Sequence, residues 1–553
     1  MAERPPVLKP WNMYLTPAWC ALLVCLLSLT PSMLPRTAMI QAVLTGLLAA
    51  LGYGLGSLLH WLSVNTKPRP EAGSTQPRTA GKGSVLTGGA LLILGLVLHH
   101  IWQNDQREML GMQSQSGWHM IYVVPLSAVI FALLLVISRF LRRVAGRLMA
   151  GADKLLPRRV SAVIVIIAMS ILLVMFGNRT VVQRVAGSLD NTFLLINNEF
   201  RTELQPPHVP QLSSGPGSSV SWDDLGRQGR LFISNTPSST AVAAFTSEEA
   251  KQPIRVYAGA GTDGNVDIAA QAQVAVDELI RTGAFKRAVL NVATGTGRGW
   301  VNENQIQALE YMWGGDTATV SLQYSYLPSW MSFLMDSSRA QDAGRLLFDA
   351  VYRHWVQLPA GERPKLVVSG ESLGSFGAEA AFSGAQDFAT RTDGALFVGP
   401  SAGNRLWQRF TEERDPDSPI FLPVVEGGDI VRFSTDGEQW PGTGTWGSSK
   451  IGYLQHSNDP ITWGDAEVFI HKPDWLRSGQ RPGNIPGAMF WIPVVTGMQL
   501  LLDQIASGVP DGQGHEFGQA PVRAWAQILP SANWSSEDTE RLVTLLEQNQ
   551  PAR

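Results

Sequence analysis

"KLVVSGESLGSFGAEAAF", residues 365–382, holds the first side chain suited to covalent chemistry, the hydroxyl of Ser372. An apolar run stops at Gly370, and small residues at helical spacing resume after Gly374. A serine held on a sharp strand-to-helix turn has a strained backbone, so its neighbours at −2 and +2 must be small. Gly370 and Gly374 occupy those two positions. Gly-x-Ser-x-Gly alone is common by chance, and an idle serine in a glycine-rich turn is the competing reading. Its place between a buried strand, "PKLVVS", and a helix start, "GAEAAFSGA", makes it specific.

A serine hydroxyl is a weak nucleophile until a base takes its proton. On such a fold the partners follow in the order acid, then histidine. His456, His471 and His515 are the histidines after Ser372. "KIGYLQHSNDPITW" ends a strand and exposes Asp459 in the next loop, where the acid belongs. "VPDGQGHEFG" sets His515 between glycines late in the chain, where the base belongs. His456 competes for the base but sits at the end of the same strand as Asp459. His471, before Pro473 and Trp475, reads as surface structure. Asp429, in "VEGGDIVRF", is the alternative acid, with Asp465 and Asp503 weaker ones.

Attack on a carbonyl develops an oxyanion, which needs backbone N–H donors. Leu373, directly after the serine, supplies one. Thr294, Gly295 and Thr296 in "ATGTGRGW" (293–300) are preferred for the other, and "AGAGTDGN" (258–265) is the alternative. Gly259, Gly261 and Gly264 in that second loop match a dinucleotide fingerprint. The next strand ends in "NVATGTG" without the acid that would hold a ribose, so a tight strand–helix turn is preferred. Neither loop ends in the Gly-Lys-Ser/Thr of a phosphate-binding loop. No cofactor or metal is expected, and Cys20 and Cys25, both in an apolar stretch, read as packing.

The elements that must position these groups follow from periodicity. "IRVYA", "RAVLNVAT", "TATVSLQY", "PKLVVSG", "GALFVG" and "KIGYLQH" read as strands. "VDIAAQAQVAVDELIRTG", "ENQIQALEYMW" and a stretch around 338–357 read as helices between them. The alternation predicts an α/β fold with a mainly parallel sheet, whose sites lie beyond the strands' carboxyl ends.

The 553 residues carry a net charge of −3, without the basic excess of a nucleic-acid binder. Apolar content is concentrated in the first 178 residues. Five stretches there, 13–34, 41–63, 84–102, 118–138 and 160–177, are long enough to cross a bilayer. The domains expected are therefore 1–178 in the membrane, 179–250 as connecting helix and linker, and 251–553 as the α/β domain. The linker reading rests on "LQPPHVPQLSSGPGSSVSW". Lys and Arg fall in alternate loops: Arg4 and Lys9; Lys67, Arg69, Arg78 and Lys82; then the run from Arg139 to Arg159. The intervening loops offer only Arg36 and Arg107. Basic loops stay cytoplasmic, so an odd number of spans sends everything after 178 to the other side, and losing one span from the count reverses that.

"LSLTPSMLPR", "LQYSYLPSW", "GESLGSFGAEAAFSG", "YLQHSNDPITW" and "GQGHEF" together resemble a bacterial family of membrane-anchored α/β-hydrolases, over nearly the whole chain. The resemblance implies an N-terminal multi-span domain, an α/β-hydrolase domain, and Ser372, Asp459 and His515 as the triad. The family's last motif is Gly-His-Gly-His-like, and here Gln513 stands at the first histidine. The leading expectation is an esterase- or lipase-like serine hydrolase at the outer face of a bacterial cytoplasmic membrane. Its partners would be membrane lipids or an acylated small molecule. Tyr324, Tyr326, Trp330 and Phe333 are candidates to line an acyl pocket. The alternatives are acyl transfer through the same triad, or a non-catalytic lipid-binding or transport-associated protein. His60, His99 and His100, the main ionisable groups in the spans, lie near span ends and argue against an ion pathway.

Overall fold

The structure, a computed structural model, describes residues 15–65, 82–152, 197, 204–261, 266–477, 479–505 and 508–549. Its contacts divide the chain into two compact units. One joins the N-terminal helices to Ala466–Pro510, and the other holds the sheet together with Asp511–Arg553. The linear division into 1–178, 179–250 and 251–553 thus needs correcting, because 466–510 groups with the N-terminal helices.

In the first unit the helices are α1 (Leu15–Ser28), α2 (Ala38–Asn65), α3 (Lys82–Met109) and α4 (His119–Ala152). Among the described residues, α2, α3 and α4 are long and apolar enough to cross a membrane; α2 and α3 contain the expected spans 41–63 and 84–102, and α4 covers all but the first residue of 118–138. The expected span 13–34 is not one helix. Its helical part has 14 residues, about 21 Å at ~1.5 Å per residue, short of a ~30 Å hydrocarbon core. The helix stops at Ser28, and the chain turns through Pro31 and Pro35, whose rings cannot continue a helical hydrogen-bond ladder. The fifth stretch, 160–177, lies outside the described residues. Span parity therefore no longer carries the orientation.

That turn is buried and polar. Arg36 Nε donates to Asp503 Oδ1 at 3.1 Å, and Nη1 donates to Gln41 Oε1 at 2.6 Å. From α3, Gln103 Oε1 accepts the Arg36 N–H at 2.7 Å, and Gln106 Nε2 donates to the Ser32 carbonyl at 2.7 Å. Arg36, counted from sequence as a loop charge, is fully enclosed. Removing one partner of a buried pair strands the other. Arg36→Met is therefore expected to destabilise the protein by about 3–5 kcal/mol, read as a lowered unfolding midpoint of the detergent-solubilised chain.

The second unit is built on seven strands: β1 (Ile254–Ala258), β2 (Val289–Thr294), β3 (Thr317–Leu322), β4 (Lys365–Glu371), β5 (Gly394–Val398), β6 (Val431–Ser434) and β7 (Lys450–Leu454). They pair in the order β1-β3-β2-β4-β5-β7-β6, every neighbour parallel. Helices α5 (Ile268–Thr282), α6 (Glu303–Met312), α7 (Ser338–Trp355), α8 (Leu373–Glu379) and α9 (Ala520–Ile528) flank the sheet. α7 packs on α5 and α8, while α9 packs on α6, β5 and β7. Strand cores buried on both faces explain their continuous apolar runs. β6 escaped the sequence reading because it is four residues long and carries Arg432, whose guanidinium bonds the carbonyls of Gly428, Trp440 and Gly444.

The stretch expected as a linker, 204–222, is packed on this unit. Leu212 bridges to Arg255 on β1, and Leu212 and Val220 join a core with Leu225, Phe232 and Tyr257. Its serines serve α5: Ser218 Oγ donates to Glu278 Oε2 at 2.8 Å and the Ser219 N–H to Oε1 at 3.1 Å. A composition poor in helix and strand formers permits an irregular path, and burial then depends on partners that the local sequence does not reveal.

Candidate active site

Because all strands run the same way, the ends of β2, β4, β5 and β7 open on one edge of the sheet, and β4 lies between β2 and β5. Ser372 follows β4 directly and heads α8, at φ 54° and ψ −121°. This is a conformation a residue with a Cβ adopts only under constraint. The constraint is visible: the Ser372 N–H donates to the Val398 carbonyl at 2.8 Å, and its own carbonyl accepts from Ser375 Oγ and the Phe376 N–H. A Cβ on Gly370 would stand 2.5 Å from the Gly374 backbone, and one on Gly374 would stand 2.3 Å from the Thr294 carbonyl oxygen. Both glycines are required by close backbone approach.

Asp459 follows β7 and is fully buried. Its Oδ1 accepts the Ile461 N–H at 2.8 Å, and its Oδ2 accepts from Thr462 Oγ1 at 3.1 Å. The same Oδ2 lies 2.6 Å from His515 Nδ1. That contact puts the imidazole proton on Nδ1 and leaves Nε2 as the basic nitrogen. Nε2 is buried and has no hydrogen-bond partner among the described residues. Burial pulls the His515 pKa down, but the Asp459 charge and hydrogen bond, with Glu371 and Glu516, outweigh it and leave the pKa above the ordinary histidine value.

The loop that carries His515 is tied to the loop after β7. Asn458 Oδ1 accepts the Gly514 N–H at 3.0 Å, and Asn458 Nδ2 donates to Gln513 Oε1 at 2.9 Å. Gln513, the departure from the family motif, thus holds the loop through its amide. His456 Nδ1 lies 2.8 Å from the Gly514 carbonyl, and its ring stacks on Phe517 with centroids 4.3 Å apart. Facing a carbonyl and lacking a carboxylate on Nδ1, His456 buttresses the loop and is not set up as a base. Asp429 precedes β6, at the amino edge of the sheet, whereas Asp459 lies at the carboxyl edge. Asp503 is committed to Arg36. The carboxylate on His515 Nδ1 is that of Asp459.

Ser372 and His515 each adjoin the carboxyl end of β5, the first through its N–H to Val398 and the second through its ring against Gly399. In the β4–β5 register Glu371 pairs with Val398, so Ser372 comes level with Gly399. A Cβ on Gly399, at φ 53°, would stand 2.5 Å from His515 Cε1. The imidazole therefore lies directly over that glycine. Sequence reading missed Gly399, although "LFVGP" offered a small residue at a strand's carboxyl end. It also missed Asn458, and Asn302, whose amide bonds the Glu371 carboxylate beside the serine.

The Leu373 N–H opens α8 and belongs to the first turn, which has no intrahelical acceptor. Thr294 pairs with Gly370 across β2 and β4, which brings 294–295 against the turn. The Thr296 N–H is taken by the Trp300 carbonyl at 2.8 Å, so Thr296 is withdrawn as a donor. The competing loop follows β1, which β3 and β2 separate from β4; its residues 262–265 lie outside the described set. Gly259 there is explained by packing, since a Cβ would stand 1.8 Å from the Asp224 carbonyl oxygen. Asp267 caps α5 with its own carboxylate, an unfavourable neighbour for a phosphate. Among the described residues no three His, Cys, Asp or Glu side chains converge to hold a metal. Of the expected acyl-pocket aromatics, Tyr324 and Tyr326 are core residues, while Phe333 is exposed against Phe376.

Two family models match the sequence. One, described as the alpha/beta-hydrolase family, covers residues 254–542, and a second, described as the N-terminus of that family, covers 29–237. No curated protein and no solved structure matches the chain.

Proposed function

Since the chain belongs to the alpha/beta-hydrolase family, we propose that it is a membrane-anchored serine hydrolase acting on an ester or related acyl bond. The observation that carries this reading is the 2.6 Å contact of Asp459 with His515 Nδ1, with Nε2 buried and unpartnered and the ring's Cε1 edge against Gly399, level with Ser372. Ser372 Oγ attacks the acyl carbonyl while His515 Nε2 takes its proton and then delivers it to the leaving alkoxide. Asp459 fixes the tautomer and stabilises the imidazolium. The N–H groups of Leu373 and Gly295 receive the oxyanion. Water then repeats the sequence on the acyl-enzyme.

The helices α2–α4 supply the anchor. The side assigned to the catalytic unit is extracytoplasmic, in a bacterial cytoplasmic membrane. It rests on the basic residues that follow α2 and α4 being cytoplasmic and on 160–177 crossing once more.

The test uses the full-length chain in detergent with p-nitrophenyl esters of increasing acyl length and a fluorophosphonate probe. Hydrolysis that disappears in step with labelling is the expected result. A folded protein that neither turns over any ester nor takes the probe would return the chain to the lipid-binding alternative. An added alcohol that diverts the acyl group into a new ester would instead identify acyl transfer.

Gly399→Ala gives a further check. The new methyl displaces the imidazole, and misplacing a catalytic group by about 1 Å costs on the order of a hundredfold in rate. The expected loss is in kcat, with KM nearly unchanged and the circular dichroism spectrum retained.

A further inference from the structure

Ala466–Pro510 groups with the N-terminal helices, and the helix Val495–Asp503 within it buries polar side chains beside Val495 and Leu500. Its polar side chains are buried: Thr496 and Asp503 at 0% exposure and Gln499 at 1%. Leu501 on the helix, and Phe490 and Ile505 beyond its ends, face outward at 40%, 52% and 59%. In water this pattern is unfavourable on both counts. In a bilayer it is the expected one, because polar groups must be satisfied inside the protein while apolar ones meet lipid.

The polar groups are satisfied by the N-terminal helices. Asp503 pairs with Arg36, and Gln499 Nε2 donates to the Thr30 carbonyl at 2.9 Å and to Thr30 Oγ1 at 3.1 Å. Beside them Val495 packs with Leu44 and Leu48 of α2. The membrane helix α3 has the same pattern: His99, Gln103 and Gln106 are buried while Ile93, Leu94, Val97 and Ile101 are exposed. Between Arg481 and Asp511 the sequence contains one charged residue, Asp503, and that one is paired inside. Residues 482–505 therefore have no charged outer face to hold them in water, unlike 466–481, where Lys472, Asp474 and Arg477 are exposed. At nine residues, about 14 Å at ~1.5 Å each, their helix is too short to cross.

We propose that residues 482–505 are a lipid-embedded part of the membrane domain, entering one leaflet without crossing and placing Phe490, Leu501 and Ile505 among acyl chains. The occupant is lipid because these outward apolar side chains belong to the same unit as others, among them Met39, Leu51 and Ile93, that stand on the anchor helices. The proposal stands whether or not the chain is a hydrolase.

The test is made on the full-length chain with Cys20 and Cys25 replaced by serine, in phosphatidylcholine–phosphatidylglycerol vesicles. Single cysteines at Phe490→Cys and Ile505→Cys carry a nitrobenzoxadiazole label. Leu51→Cys on α2 serves as the lipid reference, and Val274→Cys on α5 as the aqueous reference. Labels at 490 and 505 are expected to be quenched by doxyl-phosphatidylcholine to an extent near that of 51, and by iodide several-fold less than 274. Labels that behave as 274 does would overturn the proposal. Labels shielded from both quenchers would also overturn it, since the face would then be covered by protein. Two positions far apart in sequence guard against a local effect of either substitution.

Discussion

Ser372→Ala is expected to lower turnover of the best p-nitrophenyl ester by about 10⁵- to 10⁶-fold, the scale seen when a serine hydrolase loses its nucleophile. The substitution removes only the hydroxyl. The turn's hydrogen bonds run through the Ser372 backbone N–H and carbonyl, and alanine keeps both. The strain at φ 54° is the same for either residue. Stability is therefore expected to stay within about 0.5 kcal/mol of the parent. The measurements are kcat, the unfolding midpoint, and the mass of the fluorophosphonate adduct, which should fall on the peptide containing Ser372. Labelling that survives in the alanine variant would assign the nucleophile elsewhere.

Asp459→Asn is the second large effect, expected to cost about 10⁴-fold in kcat. An asparagine amide can donate to Nδ1, which moves the imidazole proton to Nε2, the atom that must act as base. Asp429→Asn at the opposite edge of the sheet should leave kcat within about twofold, and the reverse result would sink the acid assignment. The pH profile adds an independent readout. His515 works as a base only when neutral, and its pKa is raised, chiefly by Asp459 against the opposing effect of burial. Activity should therefore fall as pH drops through a value above the ordinary histidine range of about 6.5. In Asp459→Asn the residual activity should keep its acidic limb at lower pH, because the carboxylate charge no longer holds the proton on the ring.

Much of the site was legible because its chemistry is local. Gly370 and Gly374 announce a cramped turn by composition, and the structure puts backbone atoms where their side chains would go. Asp459 could be singled out because it follows a strand in a loop, and the loop holding His515 because glycines bracket it. Gly399 carries no such signal. It matters only because β5 runs beside β4 and His515 arrives from 116 positions later in the sequence. Thr296 shows the limit from the other side: its residue type and loop fitted, but its N–H is spent on Trp300.

The same distinction governs the membrane unit. Hydropathy is a property of contiguous residues, so α2, α3 and α4 could be read directly, whereas "LSLTPSMLPR" looked like the end of a span and is a buried polar turn. Arg36 counted as a loop charge until its partner, Asp503, was found 467 positions away.

By itself the sequence determined the α/β alternation, the apolar helices and the strained serine turn, because each is written in the periodicity or composition of a short window. Tertiary structure alone decided which strand lies beside which, that Asp459 and not Asp429 meets His515, and that 466–510 groups with the anchor helices. Those outcomes depend on pairings between distant segments. Their energies come from burial and hydrogen-bond satisfaction, which no local window contains.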